Sequence, residues 1–331
     1  MGIKSLTNAI KKKSPDSIEN LNLYQLSGKR VIVDASLIIY QQLLNTPDGR
    51  LFKNKHGKIT NHITGLFYKI MNYISLNIEL IFVFDGKPPL NKSECIQERK
   101  NKSMKAMEMS NETDDIIEKQ KLERSSIRLT SEMINDVKIL LELLGIEYIH
   151  PEIGEGEAYA SKLCQKGYGD YVLTEDMDTM AYACPKLIRN CVDRSIKRKD
   201  IISVIDHKDV LKGFELTQDK FIDFCILCGC DYLDSIPRVG WVTALKLIKK
   251  YPSIEIIIKK TEYSFPENYL EKFKKAKDNF LMYENINLDE IKKYKSVVDR
   301  EKLYGYLVNE IEMNPVRVSN TFKKFNQNYK K

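Results

Sequence analysis

Asp34, Asp85, Glu155, Glu157, Asp176, Asp178 and Asp231 stand where apolar runs end, in the local sequences VIVDAS, IFVFDGKPP, GEGEA, LTEDMDT and GCDY. Any one of them alone is an ordinary cap or turn residue, because short acidic side chains accept hydrogen bonds from free amides. The set is harder to account for in that way. Its E-x-E and D-x-D pairs place like charges two residues apart, which costs energy without a counter-ion. Carboxylate oxygens are hard ligands and suit Mg2+, with Mn2+ as a substitute. Two such ions roughly 4 Å apart can activate water and stabilise the leaving oxygen of an in-line displacement at phosphorus. The four histidines lie outside these segments. No Walker-type glycine loop is present, so NTP hydrolysis has no support.

The chain around this acidic set is basic, with a formal charge of +7 over 331 residues. An acidic metal centre in a positive protein points to a phosphate-rich substrate. A hydrophobic content of 43% and a charged content of 30% fit a globular chain large enough to bury a substantial core. No stretch reaches membrane-spanning length. The start, MGIKSLTNAIKKK, lacks the apolar core of a signal peptide, and Leu6 breaks the myristoylation pattern. Seven cysteines without an export signal read as reduced thiols in an intracellular setting, nuclear or in a cytoplasmic replication compartment. Cys225, Cys228 and Cys230 have no second ligand pair nearby and read as buried thiols rather than a zinc site.

Short β-rich runs must deliver these carboxylates. RVIVDA (30–35), ELIFVFDG, EYIHP, DYVLT, LIRNCV and ISVID predict strands. Helices are expected over LIIYQQLL, with Ser36 as cap, over 61–75, over SEMINDVKILLELLG closed by Gly145, and from GEGEAYASKL onward. From about Leu216 the pattern is helical throughout, and TFKKFNQNYKK reads as a fraying basic tail. Residues 91–130 are charged and Met-rich, without Gly or Pro or a core-forming run. They predict helix projecting from the body, or a segment that orders on binding. Strands alternating with helices, followed by helices, give an α/β class with a parallel sheet and a C-terminal helical extension. Ligands of such sheets bind outside the carboxyl ends of the strands.

The segments MGIKSL, RVIVDASLIIYQ, VFDGKPP, EGEAYAS, TEDMDTMA and CILCGCDYLDSIPRVG resemble, in order and spacing, those of the flap structure-specific endonucleases, five-prime nucleases related to the xeroderma group G nuclease. The resemblance covers roughly residues 1–312. It implies a PIN-like α/β nuclease core, a helical arch over 91–130 and a helix–two-turn–helix near 236–240. It also implies one integrated domain, with nuclease regions at 1–90 and 131–235 and C-terminal helices over 236–331. The seven carboxylates would then bind two Mg2+ ions, and Lys92 and Arg99 would meet the scissile phosphate. By the same resemblance Tyr40 stacks on a base, Gly2 lies near DNA, and Thr60 and Lys69 fall at a pocket for a one-nucleotide three-prime flap. Arg238 and Gly240 would receive duplex phosphate beside a K+ ion held by backbone carbonyls.

Two departures stand out. Arg238 occupies the place of a hairpin glycine, and Trp241-Val242 replaces a proline and a basic residue. The clamp-binding signature is absent, since Phe322 and Phe325 are separated by two lysines. The expected substrate is branched double-stranded DNA with a five-prime flap, cut by a monomer in replication, repair or recombination. Exonuclease action on ends is a further expectation. The rival readings are a non-catalytic branched-DNA binder, which predicts a broken carboxylate set, and a ribonuclease of the wider PIN class.

Overall fold

A computed structural model describes residues 2–45, 51–88, 93–193, 195–198 and 200–328, without the side chains at 93–96, 98, 99, 120, 289 and 325–328. Eight strands form among these residues: β1 (Ile18–Asn22), β2 (Arg30–Asp34), β3 (Glu79–Val83), β4 (Glu147–Ile149), β5 (Tyr171–Leu173), β6 (Lys186–Asn190), β7 (Ile201–Asp206) and β8 (Lys293–Tyr294). The chain divides into two compact units. The first holds Met1–Gln25, Gly86–Cys95 and Glu152–Glu290, and the second holds Leu26–Asp85, Ile96–Pro151 and Ile291–Lys331.

In the second unit β2, β3 and β4 are parallel neighbours, and β8 pairs antiparallel with the outer side of β4. Val31, Ile32 and Val33 and the run Leu80–Phe84 are buried, as strands covered on both faces must be. The helix Asn61–Ser75 buries Ile63, Leu66, Phe67 and Ile70 along one stripe. The helix Ser131–Leu143 starts on Thr130, whose hydroxyl accepts from the Met133 amide at 3.2 Å. It ends in a Schellman turn. Gly145, at φ +67, lets its own amide reach Glu142 O and that of Ile146 reach Leu141 O.

The first unit orders its strands β1-β7-β6-β5, antiparallel except for the β5–β6 pair. Its helices include Gly156–Gln165, Gln218–Cys228 and Trp241–Lys250. Phe214, Phe221 and Phe224 form a buried aromatic cluster with ring centroids 5.3–5.9 Å apart.

Several expectations change. Ser36 does not cap the helix Ala35–Leu44; Asp34 does, accepting from the Leu37 amide at 3.2 Å. Residues after Leu216 are not all helical, because β8 pairs with β4. The sheet strands include antiparallel edges, and β1 was not expected, since IENLN has no apolar run. The tail does not fray at Thr321: a helix runs Pro315–Asn328, with the Phe322 ring, midway along it, 6.1 Å from that of Phe67. Within 91–130, Ser93–Glu112 and Ile116–Ser126 are helical, broken where Asp115 caps the second helix. Residues 46–50 of the turn-rich stretch lie outside the described residues.

The turn before the helix Trp241–Lys250 holds Arg238 at φ +68. The backbone therefore keeps the left-handed path that a glycine takes without cost, at about 1–2 kcal/mol for a residue with a Cβ. Arg238→Gly is expected to stabilise the chain by about 0.5–1 kcal/mol in urea denaturation, after roughly 0.5–1 kcal/mol is returned to the more flexible unfolded chain. A lower midpoint would refute the strain. A second expectation concerns His207, buried edge-on to Phe221. Burial lowers its pKa from the usual 6.5, so the folded chain holds a neutral imidazole. The unfolded chain takes up the proton first, and stability should fall as pH drops below 6.5. His207→Gln should flatten that pH dependence in thermal melts between pH 7 and 5.

Candidate metal centre

The second unit carries two of the seven carboxylates. Asp34 ends β2 in register with Val83, the last residue of the neighbouring parallel strand β3, and Asp85 lies two residues beyond that end. Both therefore stand at the carboxyl edge of this sheet, and Asp34 is buried. The Phe84 amide donates to Ile149 O at 2.9 Å, which extends the β3–β4 pairing towards Asp85. His150 lies beside Asp85 and hydrogen-bonds its backbone, although the sequence placed no histidine near the acidic segments. Lys138 Nζ sits 2.5 Å from His150 Nδ1, and burial followed by this cation lowers the His150 pKa.

The first unit carries the other five. Glu155 is the N-cap residue of the helix Gly156–Gln165, and Glu157 lies in its first turn. Both are buried, and the amide dipoles of the helix start favour their charge. Asp176 and Asp178 follow β5. The Asp178 amide donates to Asp176 Oδ1 at 3.0 Å, the Asp176 amide to Thr174 Oγ1 at 3.1 Å, and Thr179 Oγ1 to Asp176 O at 2.7 Å. Asp178 is fully buried. The adjacent Glu175 turns to a cation instead, gripped by Arg189 at 2.9 and 3.2 Å and by the Asn190 amide at 2.6 Å. Asp231 sits in a tight turn closed by the Cys230 amide on Leu233 O at 2.9 Å, just past the helix Gln218–Cys228.

Their proximity is read from what they do to neighbours. The Tyr232 hydroxyl is made a far weaker acid by burial and then by the charges of Glu155, Glu157 and Asp178. Burial, with Asp178 and Asp231 adding to it, pushes the Cys230 thiol up to about 12. Gly2 closes the group. A Cβ there would lie 2.0 Å from Asp176 Oδ1 and 2.6 Å from Asp178 Oδ1, so no side chain fits without displacing a carboxylate. The N-terminus is held in place by the Lys4 amide on Gly229 O at 2.9 Å and by Lys4 Nζ on Asp234 at 2.7 Å.

Among the described residues, no three His, Cys, Asp or Glu side chains close into a metal-ligand set. Like charges spread apart unless a cation draws them in. The donor chemistry of the first unit still fits a hard divalent ion: five carboxylates, no imidazole, and a helix start beside them. It does not fit zinc. Cys225, Cys228 and Cys230 are buried free thiols whose acidity burial suppresses, which agrees with their reading as structural.

The other candidates fall as follows. Tyr40 is half-buried on the helix Ala35–Leu44. Thr60 is buried at the start of the helix Asn61–Ser75, its amide donating to Phe52 O at 3.0 Å, and Lys69 is half-buried on that helix. Gly240 opens the helix Trp241–Lys250, and a Cβ there would meet open space. Lys92 lies outside the described residues, and Arg99 is on the helix Ser93–Glu112 with its side chain outside them. Residues the sequence reading did not single out are His150, Tyr182 and Tyr283. His150 and Tyr182 lie within five residues of Glu155 and Asp178 in sequence, whereas Tyr283 gave no such signal. No described helix is long and apolar enough to cross a membrane.

Two family models match the chain: the XPG N-terminal domain over residues 1–106 and the XPG I-region over residues 145–231. A Flap endonuclease 1 from Candida glabrata is 35% identical over 339 residues, covering 100% of this chain and 88% of the relative. The flap endonuclease-1 structure from Methanococcus jannaschii superposes with a TM-score of 0.70 at 27% identity, over 94% of this chain and 96% of that one. The catalytic core of Rad2 in complex with DNA substrate shares the fold, with a TM-score of 0.72 at 22% identity over 98% and 100% of the two chains. Matches of this extent, on a chain whose carboxylates end its strands and open its helices, mean that it belongs to the flap endonuclease family of structure-specific DNA nucleases.

Proposed function

We propose that this chain hydrolyses a phosphodiester at the base of a five-prime DNA flap by two-metal catalysis, with Mg2+ as the working ion. The observation that carries the reading is the crowding of five carboxylates in the first unit, four of them buried, beside a glycine too tight to accept a Cβ. Glu155, Glu157, Asp176, Asp178 and Asp231 act as ligands in this reading, and the family's motifs give Asp34 and Asp85 the same role. When bound, Mg2+ supplies Lewis acidity for water and for the phosphoryl oxygens, and Mn2+ can replace it.

The chain's own residues do the rest. Gly2 keeps the approach to Asp176 and Asp178 free of side chain. Lys92 and Arg99 stabilise the charge that develops on the scissile phosphate, an electrostatic contribution aimed at the transition state. Tyr40 stacks on a base near the cut, worth roughly 1–3 kcal/mol per base. Thr60 and Lys69 take the three-prime nucleotide. Gly240, at the start of a ten-residue helix, presents backbone amides to duplex phosphate, and Arg238 adds a guanidinium in the same turn. Because Arg238 follows a glycine-like path, the backbone carbonyls around it remain candidates for K+. The protein acts as a monomer in this reading.

Asp176→Ala and Asp231→Ala should each reduce flap cleavage at least about 10³-fold, while flap-DNA affinity measured in Ca2+ stays within a few-fold of wild type. EDTA should abolish cleavage, and Mg2+ should restore it. Mutants that cut at the wild-type rate would overturn the ligand assignment, and EDTA-resistant activity would remove the metal mechanism. Gly2→Ala should lower kcat and raise the Mg2+ concentration needed for half-maximal rate, because the added methyl displaces Asp176 or Asp178. An unaltered Mg2+ titration would refute that displacement.

A further inference from the structure

Three tyrosines of the first unit converge on Glu155. The Tyr182 hydroxyl lies 3.2 Å from Glu155 Oε2 and 2.8 Å from the Tyr232 hydroxyl. An ionised carboxylate only accepts, so the single Tyr182 proton goes to Glu155, and Tyr232 donates to the Tyr182 oxygen. From the other side the Glu155 backbone amide donates to the Tyr283 hydroxyl at 3.0 Å. The direction of donation is thereby ordered: Tyr232 to Tyr182 to the Glu155 side chain, with the Glu155 main chain fixed on Tyr283.

The rings are locked against one another. Tyr182 and Tyr283 meet edge to face with centroids 5.4 Å apart, and Phe280 stands 5.2 Å from both Tyr182 and Tyr232. Tyr283 also presses on the bend before Glu155. A Cβ at Gly154, at φ +106, would lie 2.9 Å from the Tyr283 hydroxyl, so only glycine lets the chain pass so close to the ring. Burial makes all three phenols weaker acids than usual, which keeps them as neutral donors beside the carboxylates.

Placement in the chain gives this network its meaning. Tyr182 closes the short helix Asp178–Ala181, its amide donating to Asp178 O at 3.1 Å. Tyr232 directly follows Asp231. The hydrogen bonds among the tyrosines thus tie the segments of Glu155, Asp178 and Asp231 together without using a cation. We propose that Tyr182, Tyr232 and Tyr283 are positioning residues that set the orientation of Glu155 and its spacing from Asp178 and Asp231 before a divalent ion binds. This rests on Glu155 being a metal ligand, as argued above.

The test measures metal binding directly, by calorimetric titration of Mn2+ into the purified full-length chain without DNA. Tyr182→Phe and Tyr283→Phe each remove one oxygen and keep the ring. Each should weaken Mn2+ binding about tenfold, the scale seen when a partner behind a metal ligand is lost. Flap-DNA affinity in Ca2+ should stay within about twofold, and the thermal melting profile should remain cooperative. Glu155→Gln run beside them should lose more affinity than either. If both Phe variants bind Mn2+ as wild type does while Glu155→Gln has lost binding, the positioning role is wrong and the ligand role survives. If Glu155→Gln binds like wild type, the ligand role fails, and the tyrosine proposal fails with it.

Discussion

Holding negative charge against negative charge, out of water, is the constraint on which the first unit is built. Isolated carboxylates buried like Glu155, Glu157, Asp176 and Asp178 would normally take up protons or move apart. Here three of the four are met by something that favours the ionised form: a helix start for Glu155 and Glu157, a backbone amide for Asp176, a tyrosine hydroxyl for Glu155. None of these contacts neutralises the whole set. Hard oxygen donors of this kind suit a divalent cation, and such cations carry out phosphodiester hydrolysis in two-metal enzymes.

This constraint explains features that look unrelated. Gly2 and Gly154 both take positive φ, and both leave no room for a side chain beside acidic or tyrosine oxygens. Glu175, next to Asp176, is withdrawn from the set by the Arg189 guanidinium and acts as a strut between β5 and β6. The buried cysteines behind Asp231 stay protonated, because burial and nearby carboxylates disfavour thiolate. They fill space without adding charge.

The turn before the helix Trp241–Lys250 follows another logic. Arg238 replaces a residue that the family resemblance leads one to expect as glycine, yet its backbone still follows the left-handed path. The local conformation is imposed by the surrounding fold at the expense of intrinsic preference. A cationic side chain is placed in a turn that leads into the helix start at Gly240.

Much of the candidate site's inventory and local structure could be read from the chain alone. The seven carboxylates, the strands that precede Asp34, Asp85 and Asp176, the helix 61–75 and the Gly145 turn follow local rules: β-rich apolar runs, helical periodicity, and glycine where φ is positive. Other features depended on residues far apart in sequence. Strand β1 has no apolar signature and exists because β7 offers it an edge, while two-residue β8 exists because β4 does. Ser36 satisfies the capping pattern, but the turn out of β2 aims Asp34 at the helix amides instead. His150 beside Asp85, Gly2 against Asp176, and the tyrosines around Glu155 join positions up to 174 residues apart, such as Gly2 and Asp176. Sequence fixes which donors and acceptors exist, because chemistry belongs to residues. Which of them meet is decided by packing, because contact free energy is gained only once the chain has closed on itself.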